Sequence, residues 1–408
     1  MSKIQEQKKL AISIIRGLPH LYELEEIFEF CGRYAHLYIL GAGANQEYLL
    51  KFLDACKVKV DGYAVTNPLE QCLTHWRELP ILSVDHVIDQ PDTGILVGLS
   101  ERHYSAFIPK FKEKGFTNYY KPTEYTKLAI ANHLRPLERE EMGFEYLLTD
   151  HCNLSCQCCD HFSQHADPNC VDMDVFNRDM TRLGELSEGK IGAVRLVGGE
   201  PLLHKDIVQC MEISRRAFPD AVIEVLTNGV LLQKLEHTGP NNFWAACREY
   251  NVSIIMTVYP IGLDINALER LAEEYGVTFF ASSNIHVSEA ELSTKVTAKH
   301  TLRLDGKADL WGFAGCFYLN YSNIVSNGKW FLCPHSANIG IFNKAFNQNL
   351  ELSERDSIDI YKVDDWSVLA EFSSNRIPFC RYCDIKNWNI GYGEWKPSNK
   401  QITEYISD

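Results

Sequence analysis

No apolar run in this chain of 408 residues reaches the length of a membrane span, and the opening MSKIQEQKKLAISII has no apolar core followed by a small-residue cleavage site. Those absences argue against a membrane-spanning or secreted protein and give the expectation of a soluble, cytoplasmic one. A basic surplus is missing as well: 40 Lys and Arg stand against 54 Asp and Glu, a formal net charge of -14. Binding a nucleic acid requires a basic surface that releases counterions, so a polyanionic main partner is not expected. Low-complexity tracts are absent too, and the chain should fold throughout. It is too long for one ordinary core, which predicts two or three domains.

Cysteine, by contrast, is plentiful. Fourteen cysteines without a secretion signal predict reduced thiols that serve metals or packing, not a disulfide framework. Cys152, Cys156, Cys158 and Cys159 crowd together, Cys380 and Cys383 form a CxxC, and Cys316 and Cys333 precede it.

The patterning predicts an α/β protein. Residues 1–31 read as helical, with Pro19 as a break. Residues 32–123 alternate short apolar strands (His36 to Leu40, Val60 to Val65, Ile81 to Leu82, Gly94 to Gly98) with helical stretches, a small Rossmann-like unit. A helical linker is expected over 124–141. Strand and helix alternation then restarts over 142–299, with strands at Phe144 to Leu148, Ala193 to Val197, Val222 to Leu226, Val252 to Thr257 and Val277 to Ala281. Repeated right-handed βα units build a partial TIM-like barrel whose active site lies at the carboxyl ends of the strands. Residues 300–396 read as a small α+β domain organised by metal, with a hairpin at Asn327-Gly328, and 397–408 as a tail.

The segment Cys152-Asn153-Leu154-Ser155-Cys156-Gln157-Cys158-Cys159 follows the first barrel strand directly. Its CxxxCxxC spacing can wrap three thiolates round three irons of a cube and leave the fourth iron open. A zinc site or packed thiols is the competing reading, and spacing alone separates them only modestly. The next strand runs into Gly198-Gly199-Glu200-Pro201, a close backbone approach and a carboxylate on the same rim. Thr227-Asn228-Gly229 follows the third strand.

In this order and spacing the motifs resemble the radical S-adenosylmethionine (radical SAM) superfamily. The resemblance implies that Cys152, Cys156 and Cys159 hold a site-differentiated 4Fe-4S cluster. It further implies that Gly198, Gly199, Glu200 and Pro201 hold the methionyl amino group of S-adenosyl-L-methionine, and that Thr227, Asn228 and Gly229 border its ribose and methionine. The residue before the last cysteine is commonly aromatic in that family and packs near adenine; here it is Cys158, and Phe162 or His161 becomes the candidate for that contact. An electron donor of flavodoxin or ferredoxin type is implied as partner.

From spacing alone, Cys316, Cys333, Cys380 and Cys383 suit zinc and iron equally. Beside such a barrel they resemble the twitch domain, a shortened SPASM domain, in particular that of 2-deoxy-scyllo-inosamine dehydrogenases. The resemblance makes all four ligands of a second, closed 4Fe-4S cluster that can only pass or tune electrons.

Hydrogen abstraction at a carbinol carbon leads to a ketone if a base takes the hydroxyl proton and an acceptor takes an electron. It leads to an epimer if a thiol returns a hydrogen atom. Cys158 and Cys170 are the candidate thiols; Cys210 and Cys247, in amphipathic helices, read as core. Arg195, His161 and Tyr259 are the foremost candidates for proton transfer, with His165, Asp167 and His204 also near the rim.

In the N-terminal unit Gly41-x-Gly43 begins a dinucleotide fingerprint, but Gln46 occupies the third glycine position, so a complete NAD site is not expected. The run LYILGAGANQEYLLKFLDACKVKVDGYAVTNP looks like the N-terminal domain of PglD-type bacterial sugar acyltransferases. That likeness implies a sugar or nucleotide-sugar near Gly41, Gly43 and Asn67, with a docking domain that binds no ligand as the alternative. The expectation is thus an oxidoreductase or epimerase acting on a sugar, cyclitol or nucleotide-sugar. A peptide-modifying maturase and a non-catalytic zinc-bearing scaffold are the alternatives.

Overall fold

The computed structural model describes residues 2–14, 23–42, 44–66, 75–76, 79–99, 104, 107–134, 139–235, 242–282, 296–308, 316, 318–319 and 323–407. Two units divide it: residues 1–135 with 311–317, and residues 136–310 with 318–408.

In the first unit, helices α1 (Lys3–Ile14) and α2 (Glu23–Cys31) precede β1 (His36–Leu40), α3 (Ala44–Ala55), β2 (Gly62–Val65), β3 (His75–Trp76) and β4 (Leu79–Ser83). Then come α4 (Val84–Ile88), β5 (Thr93–Val97), α5 (Ile108–Glu113), β6 (Tyr119–Tyr120) and α6 (Glu124–Leu134). The sheet order is β3-β4-β2-β1-β5-β6, parallel except for β3. Apolar runs such as Thr93–Val97, buried at every position, make strands because helices cover both faces of such a sheet. The segment expected as a linker is α6, which packs Ala129 and Ile130 into the same core as Phe52 and Leu53 of α3.

The second unit opens with five alternations: β7 (Gly143–Thr149), α7 (Met173–Ser187), β8 (Ala193–Gly198), α8 (Ile207–Ala217), β9 (Val222–Thr227), α9 (Phe243–Glu249), β10 (Val252–Thr257), α10 (Ile265–Tyr275) and β11 (Phe279–Ser282). After these come β12 (Val296–Lys299), β13 (Asn323–Ser326), β14 (Lys329–Phe331), α11 (Pro334–Phe346), β15 (Ser357–Asp359), α12 (Trp366–Ser374) and β16 (Asn389–Glu394). Strands β7 to β11 pair in parallel in chain order. Within the stretch 300–396 that the sequence sets apart as a small domain, β13 adds in parallel to β7, and its hairpin partner β14 and then β15 continue the same sheet. Strand β12 pairs with β16 apart from it.

Alternation along the strands decides what faces where. Phe144, Tyr146 and Leu148 of β7, Val194 and Leu196 of β8, and Ile223 and Val225 of β9 pack with α7 to α10 around Trp244 in one core. Each such side chain, fully buried, contributes about 1.5–3 kcal/mol. The helices start where the sequence supplies caps: Asp172 accepts from Asp174 and Val175 N–H to begin α7, and Asp264 accepts from Ala267 N–H to begin α10. The intervening positions Glu145, Arg195 and Glu224 lie in register across β7, β8 and β9 on the other face.

Candidate active site

Four adjacent parallel strands deliver the candidate residues at their carboxyl ends, the edge where open α/β sheets bind ligands. Strand β7 ends at Thr149 and leads into the cysteine loop, β8 leads into Gly199 and Glu200, β9 into Asn228 and Gly229, and β10 into Tyr259.

Backbone pairing joins the first two exits. Gly199 N–H donates to Thr149 O at 2.9 Å and Glu200 N–H to His151 O at 3.1 Å. A Cβ on Gly199 would stand 2.2 Å from His151 O and 2.9 Å from Cys152 N, so only glycine allows this approach. Glu200 joins the third exit: its carboxylate accepts from Thr227 Oγ1 at 2.7 Å, Asn228 N–H at 2.9 Å and Leu202 N–H at 3.1 Å. Burial outweighs these donors and pushes its carboxyl up to about 7. Asn228 Nδ2 in turn donates to Asn153 Oδ1 at 2.7 Å and reaches Cys152 Sγ at 3.5 Å. Thr227 Oγ1 accepts from Gly229 N–H at 3.0 Å. The three sequence motifs are thus one hydrogen-bonded assembly.

The thiols of Cys152, Cys156 and Cys159 lie within electrostatic reach of Tyr259. Burial first, then the charges these three thiols would carry, push its phenol well above its ordinary range. Without metal, burial raises the Cys152 thiol to about 11 and that of Cys159 to about 12. Amide donors nevertheless aim at the sulfurs: Leu154 N–H at Cys152 (3.3 Å), and the N–H groups of His161 and Ser163 at Cys159. Such donors stabilise thiolate, so the set fits a thiolate-bound cluster chemically. Among the described residues no group of three or more His, Cys, Asp or Glu stands ready to hold a metal ion.

Cys158 faces elsewhere. Its backbone has φ +58°, its thiol is buried, and its N–H donates to Glu404 Oε2 at 3.4 Å. Burial, then Glu404, pushes the thiol up to about 12. Cys170 is exposed on a backbone bridge to Thr149, while Cys210 and Cys247 are buried in the helix-side core. Arg195 lies mid-strand in β8, paired through Nε to Glu224 at 2.8 Å. His204 Nε2 meets Val171 O at 2.9 Å. Exposed Asp167 pairs with Lys344, and burial lowers the His165 imidazole.

Of the second cysteine set, Cys333 caps α11 and Cys380 and Cys383 lie on the turn after α12. Burial, then Cys333, pushes the Cys380 thiol up to about 12. The N–H groups of His335 and Ser336 donate toward Cys333, whose thiol burial raises. Cys316, half-buried, falls with the first unit. In that unit Gly41 is described and Gly43 and Asn67 lie outside the described residues. Gln46 packs against Gly41 and donates through Nε2 to Gly98 O at 2.7 Å.

Several contributors gave no sequence signal. The C-terminal segment pairs with the cysteine loop: Gln157 N–H donates to Lys396 O at 3.0 Å, Ser398 N–H to Ser155 O at 2.9 Å, and Gln164 Nε2 to the Tyr405 hydroxyl. Trp395 meets Tyr259 edge to face at 5.5 Å. Asp160, inside the motif, gathers His161, Tyr318 and His300. A separate cavity of about 910 Å³, bordered by Arg139, Arg182 and Trp366, contains none of these residues.

No protein-family model matches the chain. Part of it is 33% identical over 105 residues to a probable GTP 3',8-cyclase of Methanothermobacter thermautotrophicus, 25% of this chain and 30% of that protein. A probable GTP 3',8-cyclase of Methanosarcina acetivorans is 28% identical over 138 residues, 32% of this chain and 37% of its own. The chain therefore spans only about a third of the length of these curated relatives. Among solved structures, BtrN in complex with AdoMet and 2-DOIA aligns over 60% of this chain and 93% of its own, at 15% identity and TM-score 0.36. Streptococcus suis SuiB bound to S-adenosylmethionine aligns over 68% and 77%, at 13% identity and TM-score 0.31.

Proposed function

We propose that the protein is a radical SAM enzyme that removes a hydrogen atom from a carbon of its substrate. The observation that carries this reading is the assembly in which Glu200 ties the exits of β8 and β9 together and Asn228 ties them to Cys152. A 4Fe-4S cluster with S-adenosylmethionine, when bound there, supplies the radical that takes the hydrogen. Cys152, Cys156 and Cys159 would hold that cluster, and Cys333, Cys380 and Cys383 would supply thiolates to an auxiliary one. Gly199 keeps the backbone of the β8 exit open toward the cysteine loop, and Thr227 and Asn228 hold the wall beside it. Tyr259 and Trp395 exclude water on the β10 side.

For the substrate we put a peptide first. Strand β11 ends the large sheet with no partner on its outer edge among the described residues, and Phe280 on it is 57% exposed. An open edge beside an apolar anchor is the surface that β-strand addition of a peptide uses. The second reading, oxidation or epimerisation of a sugar or cyclitol, rests on Glu145, Arg195 and Glu224, a charged row suited to hydroxyl and amino groups.

Anaerobic reconstitution followed by assay of deuterium in 5'-deoxyadenosine, with deuterated peptides in one arm and cyclitols and sugars in the other, tests both. Label from peptides alone supports the first reading, and label from cyclitols or sugars alone replaces it with the second. Zinc in place of iron and sulfide, with no 5'-deoxyadenosine formed, rejects the enzyme class and leaves a zinc-bearing scaffold.

A further inference from the structure

The cavity of about 910 Å³ beside Arg139 and Arg182 belongs wholly to the second unit and is a groove between two helices. Helix α7 lines it with Arg182, Glu185 and Leu186, and α12 with Ser367, Ala370, Glu371 and Ser374. Both sets follow the three- and four-residue spacing of one helix face, so the groove is an elongated gap between two such faces. Its floor is apolar: Leu186, Trp366 and Ala370 are all buried. The buried indole N–H of Trp366 has no acceptor among the described residues, and a bound backbone carbonyl would supply one.

Carboxylates outnumber guanidiniums along this groove. Glu185, Glu188, Asp364, Asp365 and Glu371 stand against Arg139 and Arg182. The chain engages both arginines itself. Arg139 Nη1 meets Glu188 at 3.2 Å and donates to Ser187 O at 3.3 Å. Arg182 donates through Nε to Ile360 O at 3.1 Å and through Nη2 to Val363 O, and it meets Glu185 and Asp364 at 3.5 Å each. The side chains of Glu185, Glu188 and Asp364 stay mostly exposed, so negative charge borders the apolar floor on the solvent side.

Two helix faces with an apolar floor between them match the helix-in-groove mode of peptide recognition. We propose that this groove holds a basic, amphipathic segment of the peptide substrate. Its apolar side chains meet Leu186, Trp366 and Ala370, and its Lys or Arg side chains meet the carboxylates. The inference rests on the reading of a peptide as substrate. Arg182 reaches Ile360 just past β15, which ends the eight-stranded sheet opposite β11. At about 4.8 Å per strand the two ends are at most about 34 Å apart. About ten residues of extended chain cover that distance, so one peptide can be held at the groove and present a second segment at β11.

Fluorescence anisotropy on the reconstituted full chain tests this, with a labelled helix-forming peptide of Leu and Lys and a counterpart carrying Glu at every Lys position. The wild type should bind the Lys peptide, more weakly as salt rises, and not the Glu peptide. Asp364→Lys combined with Glu371→Lys should weaken binding by about tenfold or more. Glu269→Lys combined with Glu273→Lys, the same charge change on the exposed face of α10, should leave it in place. Equal binding of the two peptides, unchanged binding in the groove variant, or no binding by the wild type overturns the inference while the peptide reading stands. A wild-type dimer that the groove variant dissociates on sedimentation puts a second copy in the groove and overturns it likewise. Deuterium reaching 5'-deoxyadenosine from cyclitols or sugars alone overturns the peptide reading and the inference with it.

Discussion

Gly199 and Glu200 occupy neighbouring positions and carry different constraints. At Gly199 the constraint is space, because a methyl group would meet His151 O at 2.2 Å. Gly199→Ala should therefore separate the β8 exit from the cysteine loop and abolish iron retention after reconstitution. Gly340→Ala in α11, where no atom lies within 4 Å of the added carbon, should stabilise by about 0.5–1 kcal/mol. Iron content and thermal unfolding of the two variants check both outcomes.

At Glu200 the constraint is charge. Its carboxyl is raised to about 7 in the fold, mainly by burial, from the 4.5 of an ordinary glutamate. A raised carboxyl favours the folded state while the group is protonated there. That contribution is complete below about pH 4.5 and declines as the unfolded chain ionises. It is lost once pH passes about 7, a change of about 3 kcal/mol at 1.36 kcal/mol per unit. Glu200→Gln should remove this decline, so denaturant unfolding at pH 5 and pH 8 should differ less in the variant than in the wild type.

Among the elements, the C-terminal segment contributes most that its composition does not suggest. Glu404 is buried and accepts from Cys158 N–H, from Ser398 Oγ at 2.7 Å and from Asn399 N–H at 2.7 Å. Tyr405 packs against Phe162, Phe342 and Phe346. Glu404→Ala leaves those donors unpaired, at about 1–3 kcal/mol. Faster loss of iron to a chelator and faster proteolysis within residues 396–407 are expected, with partial recovery in Glu404→Gln. Legibility also divides along element lines. Strands β7 to β10 were readable because alternating or continuous apolar runs bounded by Gly, Pro and capping residues carry local information. The roles of β13 and of the tail were not, because both depend on pairing with strands or loops far away in sequence.

On the scale of the molecule, two units each have a core of their own, one around Phe52 and one around Trp244. Truncating a buried aromatic to Ala costs about 3–5 kcal/mol in the core that holds it. Differential scanning calorimetry should show Phe52→Ala lowering one transition and Trp244→Ala another; a single transition lowered equally by both would mean the units unfold as one.

What the sequence determined by itself was the set of motif residues and their order: three thiols at CxxxCxxC spacing after one strand, GGEP after the next and TNG after the third. Spacing along a chain fixes which groups a short loop can present together. Tertiary structure decided the rest. It turned Cys158 inward beneath Glu404, placed Arg195 in a row with Glu145 and Glu224, and brought Asp160 to His300, His335 and Tyr318. Contacts between residues distant in sequence leave no local pattern, because they are set by which faces of the sheet and helices must be buried together.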